Sequence, residues 1–322
     1  MNRVTTKVMY EDQRAPLVIE PSSSELDIAG FVGENTNSLR DRLVAHGAIL
    51  FRKFGVSGLS DFDRFVGALS EERIDYVYGS TPRTSIGDRI FTATEYPPPL
   101  EIPLHNENSY QADWPLKIAL CCLKPADSGG ETPIADMRRV NAAIGESLID
   151  KFERRGVKYV RHYRPYVDVP WQKVFRTEDR SVVAEFCAAH DIGHEWLDAD
   201  TLRTTQVCQG AGTHPITRER TFFNQAHLFH ISSLGDAPAK AMMEVFGLDK
   251  LPRQTFFGDG GEIPAEDLAT VRAAFAGSSI TFPWCAGDIL LLDNMQFAHG
   301  RRPFKGKRQV VAALLEPHRG AF

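Results

Sequence analysis

Four short apolar runs, each bounded by turn residues, limit what this chain can fold into. Residues 48–54 (AILFRKF) follow His46-Gly47, and residues 117–123 (KIALCCL) stop at Lys124-Pro125. Residues 288–292 (DILLL) follow Gly287, and residues 309–315 (QVVAALL) end shortly before Pro317. Length and punctuation both predict strands. Apolar residues recur at helical spacing over 39–45, 62–69, 140–152 and 265–275, with Asp61 and Asp136 as expected N-caps. Strands and helices do not alternate regularly, and no GxGxxG follows a strand, which disfavours a doubly wound nucleotide-binding sheet. The pattern predicts a mainly β fold with flanking helices, built on a sandwich or barrel core. We read one domain over residues 1–322, with a helical insertion at roughly 136–280.

Composition removes several function classes. Of 322 residues, 43% are apolar and 25% charged, enough to bury a core and too apolar for a disordered chain. Lys and Arg number 37 against 42 Asp and Glu, a net charge of -5, so nothing favours bulk attraction to nucleic acid. No apolar run has signal-peptide length, and none approaches the roughly 20 residues that cross a bilayer. The five cysteines are an odd number with no CxxC pair. A cytoplasmic location with reduced thiols, and no membrane partner, is the expectation.

Phosphate-loop, nucleophile-elbow and HExxH signatures are all absent. The residues with chemistry are histidines beside carboxylates. His105 and Glu107 are two apart, so an extended segment would aim both at one metal ion. His299 follows the apolar run DILLLDN, where a strand would deliver it as a third ligand. Arg308 opens the last apolar run; burying it there is costly unless it meets an anion, and its planar fork suits a carboxylate. Ser128-Gly129-Gly130-Glu131-Thr132 allows a tight turn that could turn the Thr132 hydroxyl to a ligand. Each feature alone has an ordinary reading: a loop histidine beside a solvated glutamate, a surface histidine before a turn, a strand-edge arginine, a plain turn. In this order they describe one site. Two histidines and one carboxylate form the facial triad of non-haem Fe(II) oxygenases, which leaves metal positions open.

The sequence resembles the TauD/TfdA superfamily of Fe(II)/2-oxoglutarate dioxygenases, and most nearly its SyrP-like and clavaminate synthase-like branch. The stretches GAILFRKF, FTATEYPPPLEIPLHNENSYQADWP, GGETPIADMRRV, TFFNQAHLFH and DNMQFAHGRRPFKGKR carry the likeness between Gly47 and Arg308. The resemblance implies a double-stranded β-helix, or jelly roll. It implies Fe(II) held by His105, Glu107 and His299, and 2-oxoglutarate held by Thr132 and Arg308, with O2 as the second co-substrate. Glu107 stands where the taurine branch carries aspartate. Ala312 stands where sulfonate-using relatives carry a second arginine, which argues against a sulfonate substrate.

The retained carboxylate ligand implies hydroxylation of an unactivated C–H bond, since related halogenases lack that ligand. The branch implies an amino acid or amino-acid-derived small molecule, free or presented on a carrier protein, in natural-product biosynthesis. Glu95, Asn224 and Gln225 are candidate substrate contacts. Desaturation or cyclisation by the same oxidant is the alternative outcome. A zinc hydrolase using the same ligands is a rival that leaves Thr132 and Arg308 without a role. A non-catalytic ligand-binding jelly roll is a third reading, and the intact ligand set argues against it. His190 and His194, four apart and followed by Glu195, form a rival metal pair. His227 and His230 read as structural or pocket-lining, and Cys121 and Cys122 as core residues.

Overall fold

The computed structural model describes residues 3–81 and 83–320. All four expected strands form, and they lie side by side. Ala48–Phe51, Ile289–Asp293, Asp113–Lys124 and Gln309–Arg319 are the centre of an eight-stranded sheet. Ala15–Pro21 and Val4–Tyr10 extend one edge; Ile90–Thr92 and Ser85–Gly87 extend the other.

Both faces of this major sheet are covered, which explains why its strands read as unbroken apolar runs. Ile49, Phe51, Ala119, Cys121, Leu291, Val311 and Ala313 pack against Phe31, Leu39, Phe62 and Phe65 of the helices Ile28–His46 and Leu59–Leu69. Phe51 meets Phe65 edge-on at 5.2 Å between ring centroids. The alternate residues Leu50, Ile118, Leu120, Leu290, Leu292, Val310 and Leu314 face Ile134, Phe297 and Trp284. Ile134 and Phe297 belong to a second, four-stranded sheet of Ser279–Ile280, Ile134–Asp136, Phe297–Arg301 and Ile102–His105. A sandwich of two sheets therefore forms the core, as the mainly β reading expects. Each fully buried leucine or isoleucine contributes about 1.5–3 kcal/mol.

Two local expectations need correcting. Asp136 does cap the helix Met137–Ile144, accepting from the Arg138 N–H at 2.9 Å. Asp61, however, lies inside the first turn of Leu59–Leu69, whose N-cap is Gly58; its carboxylate reaches back to the N–H and hydroxyl of Ser57, each at 2.9 Å. The periodic stretch 140–152 is two helices, broken at Gly145 with φ 85°.

The 136–280 stretch is not simply helical. Besides its helices it holds an antiparallel sheet in the order Gly193–Trp196, Leu202–Cys208, Val157–Tyr163, Arg253–Phe257, and a hairpin of Ala211–Thr213 with Arg220–Phe222. Its strands escape a periodicity reading because polar residues are buried in them. Arg161 is 1% exposed, donates to the carbonyls of Tyr78 and Gly79, and lies 4.7 Å from the Tyr163 ring centroid. Among the described residues no helix is long and apolar enough to cross a membrane.

Candidate metal centre and co-substrate pocket

The second sheet assembles the histidines. Phe297–Arg301 pairs antiparallel with Ile102–His105, and His299 sits directly across from His105. Their ring centroids are 4.7 Å apart. Glu107 lies beyond the strand end, in a turn, so simple alternation along one strand is not what brings it in. Asn294 does that. Its Oδ1 accepts the Glu107 N–H at 2.7 Å, and its Nδ2 donates to the carbonyls of Glu107 and Pro115 at 2.9 and 2.8 Å. The Asn106 amide donates in return to the Asn294 carbonyl at 2.7 Å. One ligand atom from each of His105, Glu107 and His299 lies within 4.8 Å of the others, and among the described residues no other such trio forms.

Protonation suits a cation. Burial, with the neighbouring His299, pulls the His105 pKa down to about 4, so the ring is neutral at pH 7. His105 Nδ1 lies 2.8 Å from the Pro103 carbonyl; assigning the proton to Nδ1 leaves the Nε2 lone pair for a metal. Burial alone would raise the Glu107 carboxyl, but the charge of Arg83 and the contact with His299 hold it well below the usual range. Two imidazoles and an ionised, buried carboxylate are the donor set of a facial Fe(II) site.

Beside this trio lies a pocket walled by Arg308 and Thr132. Arg308 Nε donates to the Gly130 carbonyl at 2.8 Å, and its Nη2 lies 3.4 Å from the Thr132 hydroxyl. The Trp284 indole N–H donates to the same hydroxyl at 3.1 Å. Gly129 and Gly130 both have positive φ, 69° and 75°. A Cβ on Gly129 would stand 2.2 Å from the Pro303 carbonyl, and one on Gly130 would stand 3.0 Å from Arg308 Cδ. The two glycines thus let this turn close under Arg308. Among the described residues Arg308 has no carboxylate within ion-pair distance, and burial pulls its pKa down to about 10. A desolvated guanidinium without a counter-ion fits the carboxylate of a co-substrate.

Two cavities meet at the trio. A narrow one of about 40 Å³ is lined by Thr132, Arg308, His299, His105 and Arg83. A larger one of about 640 Å³ is lined by His105, Glu107, Arg83, Gln225, Asp168 and Arg253, among others. Of the expected substrate contacts only Gln225 lines it, with its amide donating to the Asn106 carbonyl at 2.8 Å. Asn224 is buried but turned away, donating to the Gly210 carbonyl and accepting from the Ala226 N–H. Glu95 accepts from the hydroxyls of Thr84 and Thr92 and lines neither cavity; its neighbours Thr94 and Tyr96 do. The rival pair is not assembled: His190 stacks on Phe186 at 4.0 Å, and His194 is exposed on a strand. His227 is buried against Phe275, with Nε2 3.1 Å from the Leu104 carbonyl, and His230 lines the large cavity.

Sequence reading missed Arg83 and Asn294. Arg83 Nη2 donates to Glu107 Oε2 at 2.7 Å, with both side chains 5% exposed. A lone arginine in an unpatterned loop gives no sequence signal. Asn294 had one, in the DNMQFAH stretch that leads to His299.

Comparison with known proteins agrees with this geometry. The family model described as taurine catabolism dioxygenase TauD, TfdA family, matches residues 13–314. The dapdiamide synthesis protein DdaC of Enterobacter agglomerans is 37% identical over 300 residues, 93% of this chain and 91% of that protein. A clavaminate synthase-like protein of Arabidopsis thaliana is 28% identical over 325 residues, 95% of this chain and 94% of that protein. The solved structure of PvcB from Pseudomonas aeruginosa shares the fold, with TM-score 0.55 and 14% identity over 97% of this chain and 91% of its own. The two-sheet core is accordingly the jelly roll that the resemblance implies. On the extent of the family match and the His-Glu-His cluster together, this chain belongs to the TauD/TfdA family and is an Fe(II)/2-oxoglutarate-dependent oxygenase.

Proposed function

We propose that this oxygenase hydroxylates an unactivated C–H bond of an amino acid or amino-acid-derived small molecule, free or carried on a protein, in natural-product biosynthesis. His105, Glu107 and His299 hold Fe(II). Thr132 and Arg308 hold the distal carboxylate of 2-oxoglutarate. When bound, the metal, the oxo acid and O2 supply oxidative decarboxylation coupled to C–H oxidation. The chain's own part is to keep His105 neutral and oriented through Pro103, to fix Glu107 through Asn294, and to shield the pocket from bulk water.

One observation carries the substrate class. The large cavity runs from His105 and Glu107 to a bidentate ion pair, in which Arg253 Nε and Nη2 donate to Asp168 at 2.6 Å each. A wall offering both signs of charge suits a zwitterionic or amide-bearing ligand. The name of DdaC, a dapdiamide synthesis protein, points the same way. All five cysteines are free and four are buried, which supports a reducing, cytoplasmic setting. We also read the chain as one domain, with the mixed 136–280 stretch inserted into the jelly roll.

The test is purified protein with Fe(II), ascorbate and 2-oxoglutarate, screened against amino acids both free and loaded on a carrier protein. Succinate release should rise with one substrate class, and the product should gain one oxygen atom. A product lighter by two hydrogens would show desaturation or cyclisation instead. Hydrolysis dependent on zinc, without succinate, would sink the oxygenase reading.

A further inference from the structure

Arg83 is a buried cation with unused hydrogen-bonding capacity. Its Nη2 serves Glu107, and its guanidinium carbon lies 4.4 Å from the Tyr76 ring centroid. Among the described residues its buried Nε–H has no acceptor. A guanidinium offers five donors in a planar fork, so a second acceptor beside Glu107 is geometrically natural. A divalent cation bound at the trio would draw on the Glu107 charge, leaving Arg83 less well neutralised. The nearby Arg308 adds further positive charge. An anion on the Arg83 side as well as on the Arg308 side would offset that charge.

The narrow cavity has both arginines in its wall. It is lined by Arg308 and Thr132, by His105 and His299, and by Arg83. Arg308 is tied to Thr132, and Arg83 is tied to Glu107. A dicarboxylate with a metal-binding centre matches this pair. We propose, resting on the assignment of Arg308 and Thr132 to the distal carboxylate, that Arg83 receives the carboxylate next to the keto group of 2-oxoglutarate. Arg83 then selects 2-oxo dicarboxylates over keto acids that lack that group, while its bond to Glu107 ties co-substrate binding to the metal ligand.

The experiment compares two probes on Mn(II)-loaded protein by calorimetry and competition. One is 2-oxoglutarate. The other is 4-oxopentanoate, which keeps the ketone and distal carboxylate but has a methyl group in place of the metal-proximal carboxylate. Mn(II) affinity is titrated first for each variant, so that loading is matched. Arg83→Gln should weaken 2-oxoglutarate about 10- to 100-fold, the range for a hydrogen bond between charged groups, and change 4-oxopentanoate less than about twofold. The preference between the probes should narrow by the same factor. Arg83→Lys, which keeps the charge without the fork, should show a smaller but equally selective loss, and it decides the matter if Arg83→Gln does not hold metal. Arg308→Gln should weaken both probes. If it weakens neither, the distal-carboxylate assignment fails. If it behaves as expected while Arg83 variants leave the preference unchanged, Arg83 acts only through Glu107 or on the oxidised substrate, and the proposal is overturned.

Discussion

His105 and His299 face each other across an antiparallel strand pair, 194 residues apart in sequence (299 − 105), with ring centroids 4.7 Å apart. The backbone register alone holds the two candidate ligand rings together. His105→Ala, Glu107→Ala or His299→Ala should therefore remove tight Mn(II) or Fe(II) binding and substrate-dependent succinate release, with little change in far-UV circular dichroism. Stoichiometric metal bound by His299→Ala would show that the ligand set is wrong.

Asn294 is not one of the three candidate ligands, but it holds the turn that carries Glu107. Three of its hydrogen bonds lock the Glu107 turn to Pro115, and all are buried. Asn294→Ala strands the Glu107 N–H and two carbonyls, each unmet group costing about 1–3 kcal/mol, so the melting temperature should fall. Metal affinity should fall about 10- to 100-fold, as when a partner that orients a ligand is removed. Unchanged metal affinity in a destabilised Asn294→Ala protein would reduce the residue to a purely structural role.

How far the sequence disclosed this arrangement depended on what surrounds each residue. The central strands were legible because helices cover one face and the second sheet the other, so Leu290 and Leu291 both had to be apolar. The strand Val157–Tyr163 was not, because its Arg161 is buried against Tyr78, Tyr110 and Phe229, which lie far away in sequence, as well as against Tyr163 of its own strand. His105, Glu107, His299, Thr132 and Arg308 are brought to one place, although their individual spacing was weak and their order carried the reading. Arg83 was invisible because its partner, Glu107, is chosen only by tertiary folding. Glu95 looked available beside a cavity segment, but two threonine hydroxyls hold it elsewhere.

Trp284 links the core to the Arg308 pocket. Its indole N–H donates to the Thr132 hydroxyl at 3.1 Å, which orients the hydroxyl beside Arg308. Trp284→Phe keeps most of the packing and removes that donor. The loss is about 0.5–1.5 kcal/mol, so KM for 2-oxoglutarate should rise roughly 2- to 10-fold while kcat stays near its original value. A lower kcat with unchanged KM would mean that Trp284 does not act through the co-substrate.

Acid sensitivity gives a test of the buried histidine behind the site. Burial pulls the His227 pKa down to about 3, against the Leu104 carbonyl and the Phe275 ring. An unfolded chain takes up that proton near pH 6.5, whereas the folded chain does not until far lower pH. The unfolded state thus binds more protons between these values, and folded stability falls as pH drops from about 6.5 towards 3. His105, with its pKa lowered to about 4, adds to the same trend in metal-free protein. Urea unfolding of metal-free wild type and His227→Gln, measured from pH 7 to 4.5, should separate the two contributions. The substitution should lower stability at pH 7 and flatten the acid slope by up to about 1.4 kcal/mol per pH unit. Parallel slopes in the two proteins would show that His227 accepts its proton in the folded state near its ordinary value, and that its place under the His105 strand is less dry than the packing implies.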